Sequence, residues 1–103
     1  MSFRVLISPE AENDLRGIYR YIADTLLAPE TAAKQARRIL SEIKSLAEFP
    51  LRNPVVKRGA WEKRGLRQLF IDNFIAFYLT NEQAREVVVF RIFYNRRNTE
   101  KLL

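Results

Sequence analysis

Four side chains in the second half of this 103-residue chain have the chemistry to act on a phosphate: Arg67, Arg91, Tyr94 and Arg97. Two guanidiniums converging on one phosphate hold it, and the pentacovalent species formed from it, through charge-assisted hydrogen bonds. A tyrosine in their field becomes a better proton donor or acceptor near neutrality. RNA brings its own nucleophile, the 2′-hydroxyl, so Arg and Tyr alone would serve a transesterification by positioning and charge stabilisation, with no metal and no cofactor. The same residues also have a structural reading. Arg91 then pairs with Glu86 or Asp72, and Arg96 and Arg97 solvate the end of a strand.

The composition narrows the chemistry further. No cysteine and no histidine occur, which excludes disulfides, zinc sites built on the usual ligands, thiol or imidazole nucleophiles and imidazole acid–base steps. The net charge is +6: residues 1–51 carry seven basic and seven acidic side chains, residues 52–103 eleven and five, so the whole excess lies in the second half. That half is expected to meet an anion, either nucleic acid or an acidic protein partner; a solubilising bias without a ligand is the plain alternative. The length suits one domain over residues 1–103. No apolar run approaches the roughly 20 residues of a membrane helix, and no signal-peptide pattern opens the chain, so the expected setting is cytoplasmic, away from any membrane.

The element that must position these groups is Val87-Val88-Val89-Phe90-Arg91-Ile92-Phe93-Tyr94-Asn95-Arg96-Arg97. Its β-branched and aromatic residues predict a strand covered on both faces. An arginine inside it has to meet a carboxylate or point to an anionic ligand, because desolvating an unpaired guanidinium costs several kcal/mol. Upstream, Leu66 to Ile71 and Phe74 to Leu79 predict two more strands joined by Asp72-Asn73, completing a three-stranded antiparallel meander.

At the other end, Phe3 to Ile7 reads as a short strand. Ser8 then caps a helix opened by Pro9, with Glu10, Glu12 and Asp14 near the positive end of its dipole. Ala11, Leu15, Ile18, Ile22 and Leu26 mark one apolar stripe on a helix from Pro9 to about Thr25. A second helix opens at Pro29, with Ala32, Ala36, Ile39, Ile43 and Leu46 on its inner face, and ends near Phe49-Pro50. So short a joint makes an antiparallel hairpin. The sum is an α+β domain: strand, two-helix hairpin, three-stranded meander, with both helices on one face of the sheet. The opposite face is where Arg67, Arg91, Tyr94, Arg96 and Arg97 are expected to converge.

Between hairpin and meander, residues 50–65 read as a basic loop. Lys57, Arg58, Lys63 and Arg64 crowd around Gly59, Trp61 and Gly65, and with Arg96 they are the candidate nucleic-acid contacts. Trp61 offers a flat face for stacking, or plugs the edge of the core. Thr99 to Leu103 either adds a last helical turn or trails away.

The order of elements resembles the RelE/ParE superfamily of toxins. So do Ile7-Ser8-Pro9-Glu10-Ala11-Glu12-Asn13-Asp14-Leu15, Tyr21-Ile22-Ala23, Leu46-Ala47-Glu48-Phe49-Pro50, the Phe77-Tyr78 strand and Arg91-Ile92-Phe93-Tyr94-Asn95-Arg96-Arg97-Asn98. The likeness covers nearly the full chain. It implies the toxin of a bacterial type II toxin–antitoxin pair, neutralised by a small, acidic cognate antitoxin that wraps it. Within the superfamily, RelE-like members cut messenger RNA on the ribosome, whereas ParE-like members poison DNA gyrase, and the shared fold does not choose between them. The resemblance places Arg67 at the strand arginine of RNA-cleaving members, Arg97 at the arginine after their last strand, and Tyr94 near an aromatic or histidine position. Many members carry histidine and glycine where this chain has Tyr94 and Asn95, and the helical hairpin and the C-terminal residues look closer to ParE-like sequences. The self-contained chemistry of the Arg/Tyr set tips the expectation toward a metal-independent endoribonuclease, with gyrase poisoning next and a non-toxic nucleic-acid-binding module third.

Overall fold

The computed structural model describes residues 2–95. In chain order these form β1 (Arg4–Ile7), α1 (Pro9–Arg20), α2 (Pro29–Lys44), a six-residue α3 (Gly59–Arg64), β2 (Arg67–Ile71), β3 (Phe74–Asn81) and β4 (Glu86–Tyr94). The α+β architecture expected from the sequence is present, with strand, helical hairpin and three-stranded meander in that order. The sheet order is β1-β4-β3-β2, antiparallel except that β1 lies parallel to β4, with Arg4 opposite Glu86 and Ile7 opposite Val89. A parallel pair needs a crossover, and everything between β1 and β4 supplies it.

Ser8 turns the chain from strand to helix. Its hydroxyl accepts from the Ala11 backbone N–H at 3.0 Å, and Pro9 occupies the first helical position; both satisfy the helix start at little conformational cost. Two boundaries differ from expectation. The α-helical pattern of α1 stops at Arg20 and continues as one wider π-type turn, Tyr21–Thr25, whose carbonyl at Tyr21 accepts from Leu26 at 3.0 Å. The α-helix of α2 ends at Lys44, where the chain tightens into a 3₁₀ turn, Ser45–Ala47. No helix among the described residues is long and apolar enough to cross a membrane.

The hairpin face of the sheet holds the main core: Ala11, Ile39, Ile43 and Leu46 from the helical side against Leu69, Ile71, Ala76, Tyr78, Val87, Val89 and Ile92 from the strands. The opposite face, expected to be bare, carries a second, smaller core. Residues 50–65 are not simply a loop; they hold a 3₁₀ turn, Pro50–Arg52, and α3. Val56, Leu66, Ile75 and Phe77 are buried there, with Trp61, Leu79, Phe90 and Phe93 packed around them. Trp61 stacks on Phe90 with ring centroids 5.7 Å apart, so its flat face is spent on the sheet. Gly65 makes this possible: at φ 77° it closes α3 with its own N–H on the Glu62 carbonyl and that of Leu66 on the Trp61 carbonyl. A side chain there would be strained in the left-handed region.

A bulge decides which residues of β4 face which core. Tyr78 stands opposite Val89 but Phe77 stands opposite Arg91, leaving Phe90 as the extra residue. Val87 and Val89 point to the hairpin, and unbroken alternation would send Arg91 after them. The extra residue shifts the phase, so Ile92 enters the main core and Arg91 turns to the other side.

The tip of the β2–β3 hairpin is fastened to α2. Asp72, at φ 54°, accepts two hydrogen bonds from Arg38, at 2.7 and 3.0 Å, and one from Gln35 Nε2 at 3.0 Å. These donors, Arg38 first, hold the Asp72 carboxyl below its usual range. A depressed folded value means that the clamp's contribution is complete above the ordinary carboxylate pKa of 3.8 and is lost as pH falls through the lower folded value. Asp72→Asn keeps a residue that tolerates positive φ and removes the charge. Urea midpoints of wild type and variant should therefore differ near neutrality and draw together as the pH is taken progressively below 3.8.

Candidate functional site

β1 ends opposite Val89, so the edge of β4 beyond that point has no strand beside it. The start of α1 takes its place. The Ser8 backbone N–H donates to the Val89 carbonyl at 2.8 Å and the Ser8 hydroxyl to the Phe90 carbonyl at 2.9 Å. Two turns further on, Asp14 accepts from the Ile92 backbone N–H at 2.9 Å. The same carboxylate is gripped in a fork by Arg91, Nε to Oδ2 at 2.8 Å and Nη2 to Oδ1 at 3.0 Å. Arg91 also lies over the Phe93 ring, 4.4 Å from its centroid. The Asp14 side chain is only 13% exposed. Its hydrogen bonds push the Arg91 pKa up against a smaller opposing effect of burial, so this guanidinium is permanently charged and already neutralised by a partner.

Arg91 thus meets a carboxylate, but not one of the two the sequence reading named. Glu86 is taken by Arg4 and Asp72 by Arg38. Asp14 carried a signal that was passed over: three residues after Ala11 and four before Ile18, it sits on the buried stripe of α1 rather than only near its dipole.

Arg67 has a different employment. It stands opposite Tyr78, on the hairpin face of the sheet. Its Nη1 donates to the Asn53 carbonyl at 2.5 Å and the Leu51 carbonyl at 3.2 Å. Beside it the buried Tyr78 hydroxyl donates to the Pro50 carbonyl at 2.5 Å and accepts from Asn53 Nδ2 at 3.0 Å. Burial pushes the Tyr78 phenol up, opposed by the Asn53 hydrogen bond and the field of Arg67 and Arg52. Arg67 and Tyr78 together hold residues 50–53 against the sheet.

Tyr94 lies at the far end of the sheet, opposite Phe74 and edge-on to its ring at 5.6 Å. Four residue pairs separate its row from that of Arg67, about 13 Å along the strands. Among the described residues, Arg67, Arg91 and Tyr94 do not gather round one point. Arg67 and Tyr94 occupy opposite ends of the hairpin face, while Arg91 leaves from the other face and bends to Asp14. Arg96 and Arg97 lie outside the described residues.

Of the candidate nucleic-acid contacts, Lys57, Arg58, Lys63 and Arg64 lie on the α3 side. Lys57 Nζ is 3.7 Å from Glu62, and the Arg64 guanidinium lies 5.4 Å from the centre of the Trp61 ring. Lys63 is exposed on α3, and Arg58 precedes its first residue. Lys57 and Arg58 flank an open groove of about 430 Å³ floored by Phe70, Ile75 and Phe77 and ending at Asn95. A larger groove of about 770 Å³ runs between α1, the turn after it and the end of β4, and takes in Asp14, Tyr21, Leu26, Phe74 and Tyr94. Among the described residues, the geometry thus offers these two grooves and an arginine paired within the fold.

Two energetic consequences are measurable by chemical denaturation. Asp14→Ala strands both Arg91 and the Ile92 N–H and should cost about 2 kcal/mol. Asp14→Asn keeps an acceptor and should cost about half that, while Arg91→Ala, more than a third exposed in the wild type, should cost about 1 kcal/mol. Tyr78→Phe leaves the Pro50 carbonyl without its donor and should cost about 1–2 kcal/mol.

With the geometry in hand, comparison with known proteins is informative. The model of the family described as "ParE toxin of type II toxin-antitoxin system, parDE" matches residues 5–99. No curated protein matches the sequence. Among solved structures, the fold is similar to a chain of the chromosomal ParDE toxin–antitoxin system of P. aeruginosa, at TM-score 0.76 and 22% identity over 92% of this chain and 98% of that one. It is similar also to a chain of the toxin–antitoxin complex RelBE2 of Mycobacterium tuberculosis, at TM-score 0.66 and 18% identity over 91% and 92%. A third likeness is to the archaeal RelE–RelB complex of Pyrococcus horikoshii, at 0.57 and 16% over 94% and 99%. At such identities these structures establish the shared fold, whereas the family match spans nearly the whole chain: it belongs to the ParE toxin family of type II toxin–antitoxin systems.

Proposed function

We propose that this toxin arrests growth by binding and poisoning DNA gyrase rather than by cleaving RNA, and that a cognate acidic antitoxin holds it in check. The observation that carries this reading is the separation of Arg67, Arg91 and Tyr94. Cleavage by positioning requires two guanidiniums and a proton carrier within hydrogen-bond reach of one phosphate. Here one guanidinium is forked onto Asp14, another holds the loop at residues 51–53, and the tyrosine stands at the far end of the sheet from the latter. A target held by surface complementarity makes no such demand on the three residues.

The ParE family match favours the same target, since the resemblance set out above connects ParE-like members with gyrase. For the antitoxin, the support is that the similar solved structures come from toxin–antitoxin systems, together with a net charge of +6 that an acidic chain would complement. The ribosome-dependent endoribonuclease favoured by residue chemistry alone would need Arg67, Arg91, Tyr94 and Arg97 to act together.

Induced expression, read out in parallel for DNA breaks and for message integrity, separates the two targets. Gyrase poisoning predicts accumulation of cleaved DNA in a reaction of purified toxin, gyrase and supercoiled plasmid, with ribosome-bound message intact. Message cut on the ribosome, with gyrase unaffected, would instead establish the nuclease. Co-expression of the acidic open reading frame expected beside the gene should restore growth.

A further inference from the structure

The most exposed aromatic ring among the described residues belongs to Phe49, whose residue is 78% exposed. Its backbone is also in the left-handed region, at φ 54°, where a bulky side chain is disfavoured and glycine is the usual occupant. Exposure of the ring gives no burial in return for that strain. Sites of this kind persist where the surroundings over-determine them, and they concentrate at functional positions.

The surroundings here do over-determine it. The Arg52 guanidinium bends back so that Nη1 reaches the Phe49 carbonyl at 3.1 Å and the Ser45 carbonyl at 3.3 Å, with Glu48 also accepting, while Nη2 donates to the Ser45 hydroxyl at 2.8 Å. From below, Tyr78 holds the Pro50 carbonyl, and Arg67 holds those of Leu51 and Asn53. Leu51 is 42% exposed beside this knob. The result is an exposed apolar pair on a backbone braced before any partner arrives.

We infer that Phe49 and Leu51 form the anchor by which this toxin grips a folded protein target through an apolar socket rimmed by carboxylates, which on the function proposed above lies on gyrase. An exposed apolar pair on a braced backbone is best buried in a preformed concavity, which a folded enzyme offers and an extended peptide does not. The rim charge follows from the cations tied to this stretch: Arg52 and Arg67 donate to its carbonyls, and from Lys44 to Asn53 the chain holds two cations, Lys44 and Arg52, against one acid, Glu48. Buried aromatic anchors of this type account for a large share of an interface's binding energy. The inference rests on the gyrase reading for the partner's identity, and on exposure, backbone strain and bracing for the anchor itself.

The test measures gyrase affinity and thermal stability for Phe49→Ala, Phe49→Gly, Leu51→Ala and a comparison variant, Leu27→Ala, which removes another exposed apolar side chain at positive φ from the helical joint. The expected result is that Phe49→Ala and Phe49→Gly weaken gyrase binding by about 30-fold or more. Phe49→Gly should at the same time raise the melting temperature by relieving the strained φ, and Leu27→Ala should bind as wild type does. A melting temperature that falls in Phe49→Gly would make the residue structural and overturn the inference, as would unchanged binding in both Phe49 variants or an equal loss in Leu27→Ala. Wild-type toxin that does not bind gyrase at all would reject the proposed target along with the anchor, whereas wild-type binding with intact Phe49 variants rejects the anchor alone.

Discussion

A nine-residue strand flanked on one side by a four-residue neighbour leaves half its edge unpaired, and the fold is arranged around closing that edge. Backbone donors left beside a core without partners are costly. Ser8 and Asp14 close it from the first two turns of α1, one by its backbone N–H and hydroxyl, the other by a carboxylate that takes both the Ile92 N–H and the Arg91 fork. This seam seats the helical hairpin on the sheet. It also explains the bulge: with Phe90 as the extra residue, Ile92 enters the core while Arg91 is delivered to the rim, where a carboxylate waits. An arginine in a β-branched strand is tolerable here because it never enters the core.

The same economy governs residues 49–53. Arg52, Arg67 and Tyr78 act as donors to backbone carbonyls between Ser45 and Asn53. A basic composition is commonly read as capacity for anions, yet several guanidiniums of this chain are donors to their own backbone or partners of their own acids. The long-range field of the charge survives such pairing to backbone carbonyls, which carry no net charge to cancel it. Local phosphate recognition does not, because it needs the donor hydrogens themselves.

That distinction marks what the sequence could convey. Helix starts at Pro9 and Pro29, the apolar stripes, the three strands of the meander and the placing of both helices on one face were legible because periodicity and capping are local. The parallel partner of β1 was not, since it depends on a pairing over about eighty residues of sequence separation. The bulge escaped because one extra residue leaves no composition signature; it turned Arg91 away from the face of Arg67, whereas Arg91 and Tyr94, three residues apart, fall on opposite faces by alternation alone. The partner of Arg91 was missed for a simpler reason: Asp14 was credited to the helix dipole when its spacing from Ala11 and Ile18 already put it on the inward face. Trp61 was left between two roles because the face opposite the hairpin was expected to be bare, with no second core there for it to cover.

What remains on the outside is unevenly distributed. The segment that covers the second core carries Lys57, Arg58, Lys63 and Arg64 against the single acid Glu62, whereas over residues 9–44, the helical hairpin, six basic side chains are balanced by six acidic ones. Such a molecule carries a dipole across the sheet as well as a net charge. An approaching acidic protein is turned toward the α3 side at distances of about a Debye length, near 10 Å at moderate salt, before any contact forms. Contacts that then decide affinity have to be short-ranged and apolar, because the charges that steer remain hydrated and gain little on docking. Raising the salt concentration acts mainly on the long-range steering and little on short-ranged apolar contacts.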